Sequence, residues 1–203
     1  MMLSGYNSAT RIMHLSLLLL FSLMAAGCSG TGTANNEANE ELDKSVEAIE
    51  AVIEKEFNAP DEEYRALSEE AMMSVMEAED EEEYAELRET PVYQEYVNYM
   101  EDTYAPYFNE NGYDAFINTG FAFSYSTIEG DFSLSPSDIK IEQSSDSSPA
   151  LYSFSFIVNA EGEEGVTGEY QFEGKANVPE EGKIGTIEFR DKDGLQEKLK
   201  SAY

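Results

Sequence analysis

In the first half of this chain apolar residues recur at spacings of three and four; in the second half they alternate. Val46, Ile49, Ile53 and Phe57 form one stripe, which predicts a helix over residues 43–57. Asn58-Ala59-Pro60 ends it. Asp61, with Glu62 and Glu63 behind it, caps a second helix and complements its dipole. That helix carries Tyr64, Leu67, Ala71 and Val75 on one face. Asp80-Glu81-Glu82-Glu83 opens a short third helix holding Tyr84 and Leu87, in the manner of a capping box. Thr90-Pro91 places a cap and an N1 proline before a fourth, with Val92, Tyr96, Met100 and Tyr104, and Pro106 stops it.

From residue 120 the period falls to two. Phe121, Phe123 and Tyr125 alternate, as do Ile139 and Ile141, and Tyr152, Phe154, Phe156 and Val158 share a face. Residues 160–165 turn the chain. Val166, Gly168, Tyr170, Phe172, Gly174 and Ala176 then face one way, with Thr167, Glu169, Gln171, Glu173 and Lys175 opposite. Pro179-Glu180-Glu181-Gly182 turns it again before a strand over residues 183–190. Residues 144–149 read as a polar loop, and Asn109-Gly112 and Asp191-Gly194 as turns. Short connections between alternating strands predict an antiparallel meander with one wet face. The fold class expected is α+β, with helices over residues 43–118, a sheet over 119–190 and a short C-terminal tail.

Ahead of this domain stand one basic residue, Arg11, an apolar run over residues 15–24 and Ala25-Ala26-Gly27-Cys28. A charged n-region, a short apolar h-region and small residues at a cut site specify a secretory signal over residues 1–27. The run is well short of the ~20 apolar residues of a spanning helix. The only cysteine follows the cut site directly, which adds the lipoprotein pattern. Cleavage between Gly27 and Cys28 would leave a diacylated cysteine as the N-terminus, and two acyl chains suffice for stable anchoring. An ordinary signal peptide cut near Gly27 would instead leave Cys28 a free thiol. Residues 28–42 lack an apolar stripe and read as the lipidated cysteine and a flexible acidic tether. The expected location is the outer face of the cell membrane.

Charge narrows the partners. The chain carries 42 acidic and 12 basic residues; loss of residues 1–27 removes Arg11 and moves the net from -30 to -31. Such a balance excludes nucleic acid as a natural partner and electrostatic adhesion to anionic lipid. The sole histidine, His14, leaves with the signal, so no Ser-His-Asp triad, Cys-His pair or HExxH zinc site can form. Six acids crowd residues 77–83, but no glycine stands among them to fold a calcium loop, and a solvated helix junction is the reading. No cofactor and no metal site is expected, and monomer or homodimer stays open.

The helices followed by Tyr-Ala-Pro-Tyr-Phe-Asn-Glu-Asn-Gly-Tyr-Asp-Ala-Phe (104–116) and then by long antiparallel strands resemble the nuclear transport factor 2-like fold. The run Gly182-Lys183-Ile184-Gly185-Thr186-Ile187-Glu188-Phe189-Arg190-Asp191, with Asp193-Gly194-Leu195, is similar to the last strand of that fold in small lipoproteins of Gram-positive bacilli. The resemblance spans roughly residues 45–200. It implies a curved sheet wrapping a helix into a cone whose open end can hold a small ligand. Tyr96, Tyr99, Tyr104, Tyr125, Tyr152 and Tyr170 are the candidates to line that mouth. Enzymes of the cyclase and dehydratase type on this fold use inward acids or histidines. Three functions therefore stand open: a non-enzymatic lipid-anchored domain binding or scaffolding a small molecule or peptide, an enzyme using tyrosine and carboxylates, and an acidic surface protein capturing cations or basic peptides. A buried carboxylate with a raised pKa would point to the second.

Overall fold

In the computed structural model an aromatic hub joins one helix to a four-stranded sheet. The structure describes residues 33–76, 78–145 and 147–203, with side chains from residue 44 on. The chain divides into two units, Met1–Asn39 and Glu40–Tyr203, and the second is the domain considered below. Cys28, Gly27 and the rest of the expected signal lie outside the described residues.

Helix α1 runs Thr33–Phe57, starting ten residues before the expected 43. Ala34, Glu37, Ala38, Glu40 and Glu41 are strong helix formers, so propensity carries a helix where no apolar stripe announces one. Its second half buries Ala48, Ile49, Val52, Ile53 and Phe57. Helices α2 (Glu62–Met76), α3 (Glu81–Arg88) and α4 (Pro91–Tyr104) follow where predicted, but Thr90 does not cap α4 with its side chain: its hydroxyl donates back to Leu87 O. The Asp61 carboxylate accepts from Tyr64 N at 2.8 Å and from the Tyr99 hydroxyl at 2.8 Å, so one cap both starts α2 and ties it to α4. Asp80 accepts from Glu83 N, and Glu83 reciprocates at Glu79 N. Ala71, Val75 and Tyr93 make a small second core there.

Two further helices begin on residues whose sequence predicts turns, one inside the expected helical stretch 43–118 and one in the expected tail. Asn109 accepts from Gly112 N and thereby caps α5 (Glu110–Asn118). The Asp191 carboxylate accepts from the backbone of Asp193, Gly194 and Gln196, and this turn launches α6 (Leu195–Ala202) where a short tail was expected. The sheet also begins later than expected. Residues 121–128 form consecutive turns, with Ser124 N bonded to Phe121 O, Ser126 N to Phe123 O and Ile128 N to Tyr125 O. Alternation at Phe121, Phe123 and Tyr125 comes from this winding, which drives two of the three inward without any strand partner.

The open sheet has the order β1 (Ser133–Ser145), β2 (Ser148–Glu161), β3 (Gly168–Asn177), β4 (Thr186–Asp191), antiparallel throughout. A bulge between Ser137 and Lys140, with Asp138 at φ 52°, shifts β1 by one residue. The shift lets Leu134 pair with Ala160 and Ile141 with Phe154 on the same inner face, so even positions serve before the bulge and odd ones after it. Gly174 sits opposite Phe154, whose ring lies over it. A Cβ there would overlap both that ring and the carbonyl of Glu188. Gly174→Ala is expected to cost about 1–3 kcal/mol by overpacking. A thermal melt unchanged from wild type would contradict that packing.

Candidate functional site

Two arrangements of polar groups stand out, one buried and one open. The buried one is Glu56, in the last turn of α1 and 1 % exposed. Its Oε2 accepts from the Tyr104 hydroxyl at 2.9 Å and from Phe123 N at 2.7 Å; its Oε1 accepts from Ser124 N at 2.8 Å and Ser124 Oγ at 2.7 Å. Phe123 adopts φ 56°, and its ring stacks on Tyr64 at 4.0 Å. This left-handed turn points two successive amides at one anion, the geometry of a backbone nest.

Burial pushes the Glu56 carboxyl up from 4.5 to about 7, against the lowering pull of the donors from Ser124, Tyr104 and Phe123. The Tyr104 phenol is raised as well, by burial first and then by the Glu56 charge. Here is a tyrosine–carboxylate pair of the kind an enzyme could use. Yet every donor around Glu56 comes from the chain itself, and none of the described surface depressions includes it. Its bonds fasten α1, α4 and the 121–128 turns together, which is a structural duty.

The six candidate tyrosines are dispersed. Tyr104, Tyr125, Tyr152 and Tyr170 are buried in the main core, with the Tyr170 hydroxyl donating to Val166 O at 2.6 Å. Tyr96 is half-buried against Tyr64 and Tyr93. Tyr99, bonded to Asp61, borders a shallow depression with Glu63, Leu67 and Asp102.

The open arrangement lies on the outer face of the sheet, in a depression of about 620 Å³. Strand register sets two rungs across it. Lys140, Ser155, Glu173 and Arg190 stand side by side; next to them stand Glu142, Ser153, Lys175 and Glu188. Ser153 and Ser155, short and exposed on central strand β2, form a low floor between taller charged walls. Arg190 and Lys192 hold Glu173 at 3.1 and 3.0 Å, and the Lys192 bond foremost lowers its pKa. Among the described residues, Lys140, Lys175, Glu142 and Glu188 make no ion pair. The alternating pattern placed Glu173 and Lys175 on the polar face, but the rungs need register, which the pattern alone does not give. Glu56 did leave a signal: it falls three residues after Ile53 and four after Val52, on the apolar stripe itself.

Among the described residues no group of three or more acids forms a metal site, and no helix is long and apolar enough to cross a membrane. No protein-family model, curated protein or solved structure matches this chain.

Proposed function

We propose that this chain is a lipid-anchored extracytoplasmic domain that binds a small polar ligand, without catalysis, on the outer face of its sheet. The signal pattern ending at Cys28 supports the anchoring and the location. A nuclear transport factor 2-like arrangement, in which the sheet curves around α1, is the finer form of the fold that we propose. The order of helices before sheet supports it, as does the contact of Phe57 with rings of β2, β3 and β4.

The two charged rungs over the serine floor carry the reading of the ligand. The volume suits a small molecule, and the lining sets ionic and hydroxyl groups beside Phe154 and Phe189. Neighbouring charges along a strand stand roughly 7 Å apart, the i to i+2 repeat of an extended backbone. A short extended peptide bearing both an amine and a carboxylate matches this alternation. Its charges would meet Lys140 and Lys175 on one hand and Glu142 and Glu188 on the other, the groups with no ion pair of their own.

Titrating the protein with a Lys-Ala-Glu tripeptide, followed by amide NMR shifts, tests the site. The expected shifts cluster at Ser153, Ser155, Glu173 and Lys175, and Lys140→Ala with Lys175→Ala removes them. Shifts scattered over the helices, or unchanged in the double variant, would overturn the assignment.

A further inference from the structure

Helix α2 leaves part of its surface uncovered in an unusual way. Met72, Met73 and Met76 are 39 %, 56 % and 80 % exposed. Met76 stands four residues from Met72 and three from Met73, so helical spacing makes the three one contiguous face. The buried face of the same helix is supplied by Tyr64, Ala71 and Val75, so the methionines are not needed for packing against α3 or α4. Scattered exposed apolar residues are ordinary; a continuous group of them on one helix marks an interaction surface.

The surroundings select the partner. Residues 62–104 contain 15 acidic and two basic residues. Both bases are occupied: Arg65 donates to Ser126 O, Ile128 O and Glu62, and Arg88 lies over the rings of Tyr84 and Tyr93. Glu69 and Glu70 on α2, and Glu79, Asp80, Glu81, Glu82 and Glu83 just beyond it, are exposed. An apolar strip beside dense carboxylates is complementary to an apolar strip beside ammonium groups. Methionine adds adaptability, since its unbranched thioether side chain repacks around differently shaped residues.

We propose that the Met72–Met73–Met76 face docks a cationic amphipathic helix of a partner protein. The partner's apolar stripe would lie on the thioethers, with its lysines or arginines over the flanking acids, as in helix-in-groove recognition. This surface shares no residue with the outer sheet face, and the two proposals stand or fall separately.

The test uses the full chain and an 18-residue amphipathic Leu/Lys helix, with a Leu/Glu version and a shuffled, non-amphipathic Leu/Lys version as controls. Calorimetry at 0.15 M salt is expected to show micromolar binding of the first peptide alone. Met72→Ser, Met73→Ser and Met76→Ser together should weaken it at least tenfold. The single change Met76→Ser, at the most exposed of the three positions, should weaken it at least threefold. Equal binding of the shuffled Leu/Lys peptide, or equal binding by the triple variant, would show adhesion to the acidic coat alone and overturn the proposal. So would no binding of the amphipathic peptide.

Discussion

Replacing Glu56 by alanine is expected to destabilise the domain by about 3–5 kcal/mol at pH 5. The change strips the acceptor from four donors at once, the amides of Phe123 and Ser124 and the hydroxyls of Ser124 and Tyr104. An orphaned buried donor costs about 1–3 kcal/mol, and water entering the space left behind would recover part of that sum. Urea unfolding followed by circular dichroism measures it. The same residue sets a pH dependence. A carboxyl whose pKa is about 7 in the fold and 4.5 outside it stabilises the fold fully below 4.5. It loses that contribution as pH rises through about 7. The difference amounts to about 3 kcal/mol between pH 4.5 and pH 8. Glu56→Gln keeps the shape and cannot titrate, so its stability should vary less over this window than that of wild type. Equal slopes for the two proteins would place the proton elsewhere.

Phe57→Ala is the second large effect, about 3–5 kcal/mol. The Phe57 side chain is fully buried, and its ring lies 4.8 Å from Phe156, 4.9 Å from Phe172, 5.2 Å from Tyr125 and 5.4 Å from Phe189. It is the point where α1 meets β2, β3 and β4. Two of these contacts are edge-on, an arrangement that adds about 0.5–1.5 kcal/mol per pair beyond burial. Truncation would leave a phenyl-sized hole walled by rigid rings, with little room to collapse. Phe57→Leu refills most of it and should cost less than half as much. A loss below 1 kcal/mol for the alanine variant would show that the hub is less tightly packed than its ring distances indicate.

Much of this architecture was legible in the chain, and the gaps have physical causes. Helix stripes in α1, α2 and α4 and the inner faces of β2 and β3 came through because burial on one side imposes a clear period. Helices α5 and α6 are eight or nine residues long and start on Asn-Glu-Asn-Gly and Asp-Lys-Asp-Gly, so turn chemistry masked them. In each case the residue read as a turn, Asn109 or Asp191, supplies the hydrogen bonds that begin the helix. The alternation at Phe121, Phe123 and Tyr125 mimicked a strand because the turns there bury Phe123 and Tyr125, two residues apart. The bulge at Asp138 reversed the parity of β1 midway, which no single period can express. Glu56 is hard to recognise in the sequence because a charge within a stripe looks like an interruption, yet it anchors the Phe123 turn. The charged rungs were half visible: their residues were on the polar face, while their alignment depends on pairing across four strands.

We propose that this domain works from a lipid anchor at the outer membrane face, and Cys28 tests that most directly. Mass spectrometry of the protein extracted from membranes should show residues 1–27 gone and a diacylglyceryl group on the N-terminal Cys28. Wild-type protein recovered from the soluble fraction with Cys28 intact and unmodified would contradict the account.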